Sequence, residues 1–298
     1  MNKIHFQSFV LLILFSITVN VAYSQDLSMQ IKDGNIIYIK DNRGNRVIDF
    51  SHCGYMNSNI EIPSVENIVF VPFQNEDASD IIQKAINDVE KLPINKKGFR
   101  GAILIDEGEF LLSKSLRISK SGVVLRGSGK KATSLRKIGV LRDALIYIEG
   151  VNDIVASDTT SVVSKYVPVN SLEIEIESIE NLKAGDEIFI VRPSTTEWIK
   201  QIGCDHFGGG ITALGWKEGD IDLKWKRRID KIKGNSIFID APLTMPLNID
   251  EASSKVIKYS WDGLISNVGI ENLSLISDYD TRNTKDEDHS WTGVSVNN

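Results

Sequence analysis

The sequence predicts an all-β fold in which short strands wind into a coil that stacks on itself, and three observations lead there. Residues Gly101 to Gly129 hold four short apolar runs, Ala102–Ile105, Phe110–Leu112, Leu116–Ile118 and Val123–Leu125, separated by glycine or small polar residues. Each run is too short for an ordinary helix, and its β-branched and aromatic content favours strand. The same grammar continues through Ser134–Leu141, Ala144–Ile148 and Ile154–Ala156, and it returns after Trp261. Strands this short suit a parallel β-helix, whose turns bury a face only against neighbouring turns. Two hairpins of an ordinary sandwich fit the same runs, and pattern alone leaves both open.

The chain has 298 residues, a formal net charge of -6 and 2 cysteines. That length holds one large domain or two small ones. The acidic balance argues against a nucleic-acid partner, whose phosphates reward positive surface. Residues 1–24 read as a signal peptide: Lys3, an apolar core Phe9–Val19, then Ala22-Tyr23-Ser24 before a cut that leaves Gln25 first. The apolar core is short for a membrane span, which needs about 20 residues. The mature protein is therefore expected to be secreted or periplasmic, with no transmembrane segment after cleavage. Cys53 and Cys204 could bridge in an oxidising compartment, but two isolated cysteines are more commonly unpaired, and no paired-cysteine spacing supports zinc.

Residues 25–76 read as an N-terminal hairpin and a lead-in. The hairpin is expected to pair Ile36–Ile39 with Val47–Phe50 around the turn Asp41–Asn45, and His52 and Tyr55 sit in the irregular segment that follows. Residues 77–163 hold a cap helix and the first turns of the coil. Asp77 is placed to cap, Asp80 suits the helix dipole, and Ile82, Ala85, Ile86 and Val89 form one apolar stripe before Leu92-Pro93 ends the helix. A helix laid across the open first turn would cover its bare edge. Residues 164–247 break the rhythm. The alternation of Leu172–Ile176, the run Ile188–Val191 and a hairpin around Lys233-Gly234-Asn235 predict an inserted antiparallel β subdomain. Gly208-Gly209-Gly210 is too short and isolated to mark a phosphate loop. Residues 248–298 return to the coil, with Asn267 and Asn272 at turns, and Trp291–Val296 reads as a strand entering another turn with nothing to cover it. The sequence is accordingly expected to be the front part of a longer protein.

Several stretches carry a resemblance. They are Asp49-Phe50-Ser51 with Gly54-Tyr55 and Ile62-Pro63; Gly98-Phe99-Arg100-Gly101-Ala102; and Ser121 to Gly129. With them go Arg192-Pro193-Ser194-Thr195, Glu197-Trp198-Ile199, and Asp286-Glu287-Asp288-His289 before Trp291-Thr292. Together these resemble the opening of a large bacterial family of secreted pectate-lyase-like proteins. The resemblance implies a right-handed parallel β-helix, in a superfamily of polysaccharide lyases and glycoside hydrolases, and hence a polysaccharide substrate. It also implies a chain that runs well beyond Asn298. The aspartate cluster with a following arginine that marks the calcium-dependent lyases is not found in this sequence.

Two mechanisms fit such a protein. A lyase needs a base and a group that neutralises the substrate carboxylate; a glycosidase needs two carboxyl groups across the sugar. The richest cluster for either is Asp278, Asp280, Arg282, Asp286, Asp288 and His289. His289 is the leading catalytic candidate, because imidazole exchanges a proton near neutral pH. Asp286 or Asp288 would orient it or act as an acid, Trp291 would stack on a sugar, and Arg282 is a further candidate for substrate binding. The competing reading is a solvated loop followed by a core tryptophan. A second set lies in the insertion: Arg192, Glu197, Trp198, Asp205, His206 and Trp216, with Arg192 and Trp198 the candidates for substrate binding. The Arg192 fork matches a sugar carboxylate but could equally pair with Glu197 or Asp186, and insertion core is the competing reading for the tryptophans. No cofactor is expected. Calcium is the one metal the acidic cluster would admit, though Asp280, Asp286 and Asp288 do not follow the spacing of a helical-hand loop. A non-catalytic carbohydrate-binding or surface protein is the alternative to an enzyme, and an inactive fragment is the third.

Overall fold

The computed structural model describes residues 29–206 and 214–298; the expected signal peptide and the Gly208–Gly210 run lie outside them. In chain order the strands are β1 (Met29–Lys32), β2 (Asn35–Tyr38), β3 (Asn67–Val71), β4 (Gly101–Ile105), β5 (Gly108–Leu112), β6 (Leu116–Ile118), β7 (Val123–Gly127), β8 (Thr133–Lys137), β9 (Ala144–Glu149) and β10 (Val155–Ser161). They continue as β11 (Tyr166–Val167), β12 (Glu173–Glu175), β13 (Glu187–Arg192), β14 (Leu223–Lys233), β15 (Ser236–Ile239), β16 (Leu247–Asn248), β17 (Lys255–Ser260), β18 (Gly269–Glu271), β19 (Ser274–Ser277) and β20 (Thr292–Asn297). Helix α1 spans Ser79–Glu90 and α2 spans Thr196–Gln201. The chain forms two units, one of residues 60–157 with 259–298, the other of residues up to 59 with 158–258.

The first of these is a coil of β-helix type. Its three sheets run β3-β4-β7-β18, β5-β8-β19 and β6-β9-β20, and every ladder in them is parallel. Each turn of the chain gives one strand to each sheet, so like stacks on like. Ile103 pairs with Leu125, Phe110 with Leu135, and Leu116 with Ile146. These side chains point inward and are fully buried. Burying such columns is what offsets the ordering of strands that could not stand alone. Helix α1 adds Ile82, Ala85, Ile86 and Val89 to the same core and packs against β3, β4, β6 and β7. Its N-cap is Ala78, with Asp77 accepting from the Ser79 amide at 2.9 Å and from the Ser113 hydroxyl. The last turn is less covered: Ile270, Leu273 and Leu275 are half-buried and Val296 is exposed, because among the described residues no strand pairs with the outer edges of β18, β19 and β20.

Three turn positions explain their residues. Gly122 has φ +83, and a Cβ there would stand 2.7 Å from the Gly98 carbonyl and 2.9 Å from the Arg100 amide. Asn267 and Asn272, with φ 55 and 56, bracket β18 in the left-handed region that asparagine tolerates.

The second unit has its own core. A six-stranded sheet of order β10-β17-β13-β14-β15-β12 buries Ile174, Ile188, Ile190, Ile229, Ile237 and Val256. The ladders of β13 with β14 and β17, and of β15 with β12 and β14, are antiparallel. Two expectations change here. Residues Ile154–Ala156 do not continue the coil, because Val155–Ser161 joins the edge of this sheet. The N-terminal hairpin pairs Met29–Lys32 with Asn35–Tyr38, not Ile36–Ile39 with Val47–Phe50. Asp33 and Gly34, with φ 51 and 78, close a two-residue turn directly, and Asp49 accepts from the Ser51 amide to start a 3-10 turn at Phe50–Cys53. Cys53 and Cys204 are both free thiols. No helix among the described residues is long and apolar enough to cross a membrane.

Candidate functional site

The coil's corner between its second and third sheets gathers polar chemistry at successive levels. It is formed by the β5–β6 turn at residues 113–115, the β8–β9 turn at 138–143, and the long β19–β20 connection at 278–291. Lys137, at the end of β8, is buried to 3% exposure, donates to the Ser113 carbonyl at 3.1 Å and lies 3.4 Å from the Asp143 carboxylate. The Ser115 hydroxyl donates to the same carboxylate at 2.7 Å, while Asp143 Oδ1 is buried without a partner.

The long connection is pinned on this base at both ends. The Asp278 amide donates to the Lys137 carbonyl at 2.9 Å, and the Ser290 hydroxyl donates to the Asp143 carbonyl at 2.6 Å. Between them Asp286 organises the loop, accepting from the amides of Asp280 at 2.7 Å and Asp288 at 3.0 Å. Those two amides hold its carboxyl below the usual carboxylate range. His289 Nδ1 lies 3.9 Å from Asp286 Oδ2, is buried, and has no hydrogen-bond partner. That gap is too long for a hydrogen bond, although such contacts tighten when a substrate binds. The imidazole is 24% exposed and stands 6.0 Å from the Tyr279 ring, centroid to centroid.

The residues singled out in the sequence share this loop, divided among different partners. Asp286 and His289 are side by side. Asp288 turns to the Arg142 guanidinium at 3.1 Å. Arg282 grips Asp280 at 2.9 Å, which lowers the Asp280 pKa, and its side chain is 89% exposed. Trp291 is 58% exposed; its indole N–H donates to the Glu287 carbonyl at 2.8 Å, and Arg142 lies 5.0 Å from its ring. Instead of packing in a core, the tryptophan is held at the surface by these two contacts.

Arg192 and Trp198 belong to the other unit and lie in its interior, with exposures of 2% and 7%. Arg192 donates to Glu251 Oε2 at 2.6 Å and sits 5.0 Å from the Trp198 ring, so both side chains are spent on internal contacts. Its partner is Glu251, neither Glu197 nor Asp186. His206 pairs with Asp205 at 2.8 Å on the surface. Sequence reasoning missed Arg142, Tyr279 and the Lys137–Asp143 pair. Arg142 and Asp143 meet a loop that follows them in the chain only after residues 158–258 of the second unit, and no local pattern signals that meeting. Among the described residues no group of three or more His, Cys, Asp or Glu side chains could hold a metal ion.

No family model matches the chain, and no curated protein is similar to it. Among solved structures it is similar to the Gp54 tailspike of Acinetobacter baumannii bacteriophage AP22, in complex with A. baumannii capsular saccharide. The TM-score is 0.35 at 10% identity, covering 67% of this chain and 29% of that one. It is also similar to the Pseudomonas phage phi297 tailspike gp61, with TM-score 0.34, 12% identity, and 65% and 26% of the two chains. The tailspike protein gp49 of Pseudomonas phage LKA1 gives TM-score 0.34 and 18% identity over 65% and 28%. The chain thus spans under a third of the length of these structures.

Proposed function

We propose that this protein is a secreted or periplasmic carbohydrate-active enzyme that cleaves a uronic-acid polysaccharide by β-elimination, with His289 as the base. One observation carries the reading: a buried, unpartnered imidazole nitrogen 3.9 Å from a fixed carboxylate, on the surface of a β-helix-like coil. The chemistry divides as follows. His289 takes the proton beside the substrate carboxylate; that electron pair forms the new carbon–carbon double bond, and the glycosidic oxygen leaves with the bonding pair and takes a proton from solvent water. Asp286 orients the imidazole and stabilises the imidazolium. The exposed Arg282, whose surface ion pair with Asp280 exchanges at little cost, meets the substrate carboxylate, and Trp291 offers a ring face.

Elimination is preferred to hydrolysis because a glycosidase needs a carboxyl with a raised pKa as its acid. Asp286 is held low by backbone amides, and Asp288 is paired with Arg142. On the same reading the coil is right-handed, as parallel crossover connections are, and α1 caps its first turn. A second reading, carbohydrate binding without cleavage, is favoured by the exposed and immobilised Trp291 alone.

The test follows near-ultraviolet absorbance of the unsaturated product during incubation with polygalacturonate. The wild-type protein should generate absorbance, and His289→Ala should lower turnover by about 100-fold or more with an unchanged melting temperature. Turnover that survives in the variant removes His289 from the mechanism. Binding with no product from the wild type leaves the second reading.

A further inference from the structure

The connection between β19 and β20 carries two exposed aromatic side chains, and the mechanism proposed above employs only one of them. Tyr279 is 59% exposed and Trp291 58%. Each follows a residue tied to the coil. Before Trp291, the Ser290 hydroxyl donates to the Asp143 carbonyl at 2.6 Å. Before Tyr279, the Asp278 amide donates to the Lys137 carbonyl at 2.9 Å, and the Asp278 carboxylate accepts from Arg136 at 3.1 Å. Arg136 is held in turn by Glu109 at 2.9 Å. After Tyr279, the Asp280 amide donates to Asp286 at 2.7 Å. Both chain neighbours of the tyrosine are thus fixed, although its ring lies largely in solvent. That ring meets the His289 imidazole, 6.0 Å between centroids and tilted by 50°. Two exposed rings therefore flank His289, Tyr279 in space and Trp291 two residues along the chain.

An aromatic ring left mostly in water contributes little burial to the fold. On a fixed backbone, with two side-chain torsions, it also loses little further freedom when a ligand covers it. Its face suits the C–H face of a pyranose ring, the match that Trp291 also offers. Arg142 lies over the Trp291 ring, whereas among the described residues no cation lies over the ring of Tyr279. We infer that Tyr279 is a second sugar platform: it holds one ring of an acidic polysaccharide while Trp291 holds another, so that the site spans at least two sugars. A protein partner fits less well. The exposed Asp278, Asp280 and Arg282 crowd the tyrosine, and protein interfaces keep charged groups out of their core, whereas sugar hydroxyls and carboxylates accept them as neighbours. The choice of polymer rests on the function proposed above, and the part of Tyr279 in binding is tested apart from it.

Two measurements are made on the full chain. Calorimetry follows polygalacturonate binding in a His289→Gln parent, whose amide fills part of the place of the imidazole while cleavage is suppressed. Steady-state elimination is followed with His289 intact. Tyr279→Ala should weaken binding and raise KM by about tenfold, with kcat and its pH profile kept. Tyr279→Phe should restore both, because the ring face makes the contact. An unchanged melting temperature verifies that each variant is folded. Parental affinity in Tyr279→Ala overturns the platform, whatever the turnover assay gives. A shifted pH profile with KM unchanged also overturns it, and reduces the ring to a shield for the imidazole. Failure of Tyr279→Phe to restore binding assigns the contact to the hydroxyl and overturns stacking. Loss of binding in Tyr279→Ala together with no product from the wild type upholds the platform and rejects the lyase. Neither binding nor product, with His289 intact or replaced, overturns both.

Discussion

At the level of single residues, the coil depends on backbones that approach one another without side chains between them. Gly122 combines a left-handed φ of +83 with three backbone atoms under 3 Å from where a Cβ would stand. Neither the Gly98 carbonyl nor the Arg100 amide can swing aside as a side-chain tip would. Gly122→Ala should therefore destabilise the coil by about 1–3 kcal/mol, read as a lowered urea midpoint with an unchanged slope. Lys137 is the opposite case, a charged residue where a coil would ordinarily place an apolar one. Its ammonium is tolerated because the Ser113 carbonyl and the Asp143 carboxylate are both within reach. The same pair supports the loop that carries Asp286 and His289, through Asp278 and Ser290.

Among the elements, α1 shows how a helix is fastened to a coil. Its apolar stripe supplies the area, and Asp77 supplies the register. Burial alone would raise the Asp77 pKa, but hydrogen bonds from Ser113 and Ser79 outweigh it and hold the carboxyl far below the usual carboxylate range. A depressed folded pKa means that the stabilisation is present above the unfolded value, near 3.9, and is lost as the pH falls through the folded value. Asp77→Asn should cost about 1 kcal/mol at neutral pH, a modest figure because the residue is solvent-exposed. The gap between wild type and variant should begin to narrow below about pH 4 in acid denaturation and go on narrowing as the pH falls towards the folded value; a gap that does not change with pH would assign the loss to packing. The β19–β20 connection is fastened by the same device, a carboxylate accepting two backbone amides, and Asp286 thereby fixes the place of the imidazole.

For the whole molecule, each unit has a core of its own. Leu125 belongs to the coil's cluster and Ile237 to the cluster of the six-stranded sheet. Leu125→Ala and Ile237→Ala should each cost about 2–5 kcal/mol, but in different places. Hydrogen exchange should show Leu125→Ala loosening β4 and β7 while the protection of β13 and β15 is kept, and Ile237→Ala doing the reverse. Uniform loosening by either substitution would mean one cooperative core.

How much was legible in advance follows from the range of the forces involved. The short strands of residues 101–149, the stripe of α1 and the hairpin around Gly234 are set by periods of two or 3.6 and by turn residues, so neighbours in sequence determine them. The grouping of Arg282, Asp286, Asp288, His289 and Trp291 was visible because one loop carries them all. The sequence could not show that Asp288 would turn to Arg142, that Arg192 would be buried on Glu251, or that Val155–Ser161 would leave the coil for the other unit's sheet. Each of these depends on a partner remote in the chain, chosen by burial and charge after the backbone has folded. The strands, the helix and the chemical inventory of one loop are written in local order along the chain. Which carboxylate faces the imidazole is settled only on folding, because a local pattern says that a side chain points outward but not what stands across from it.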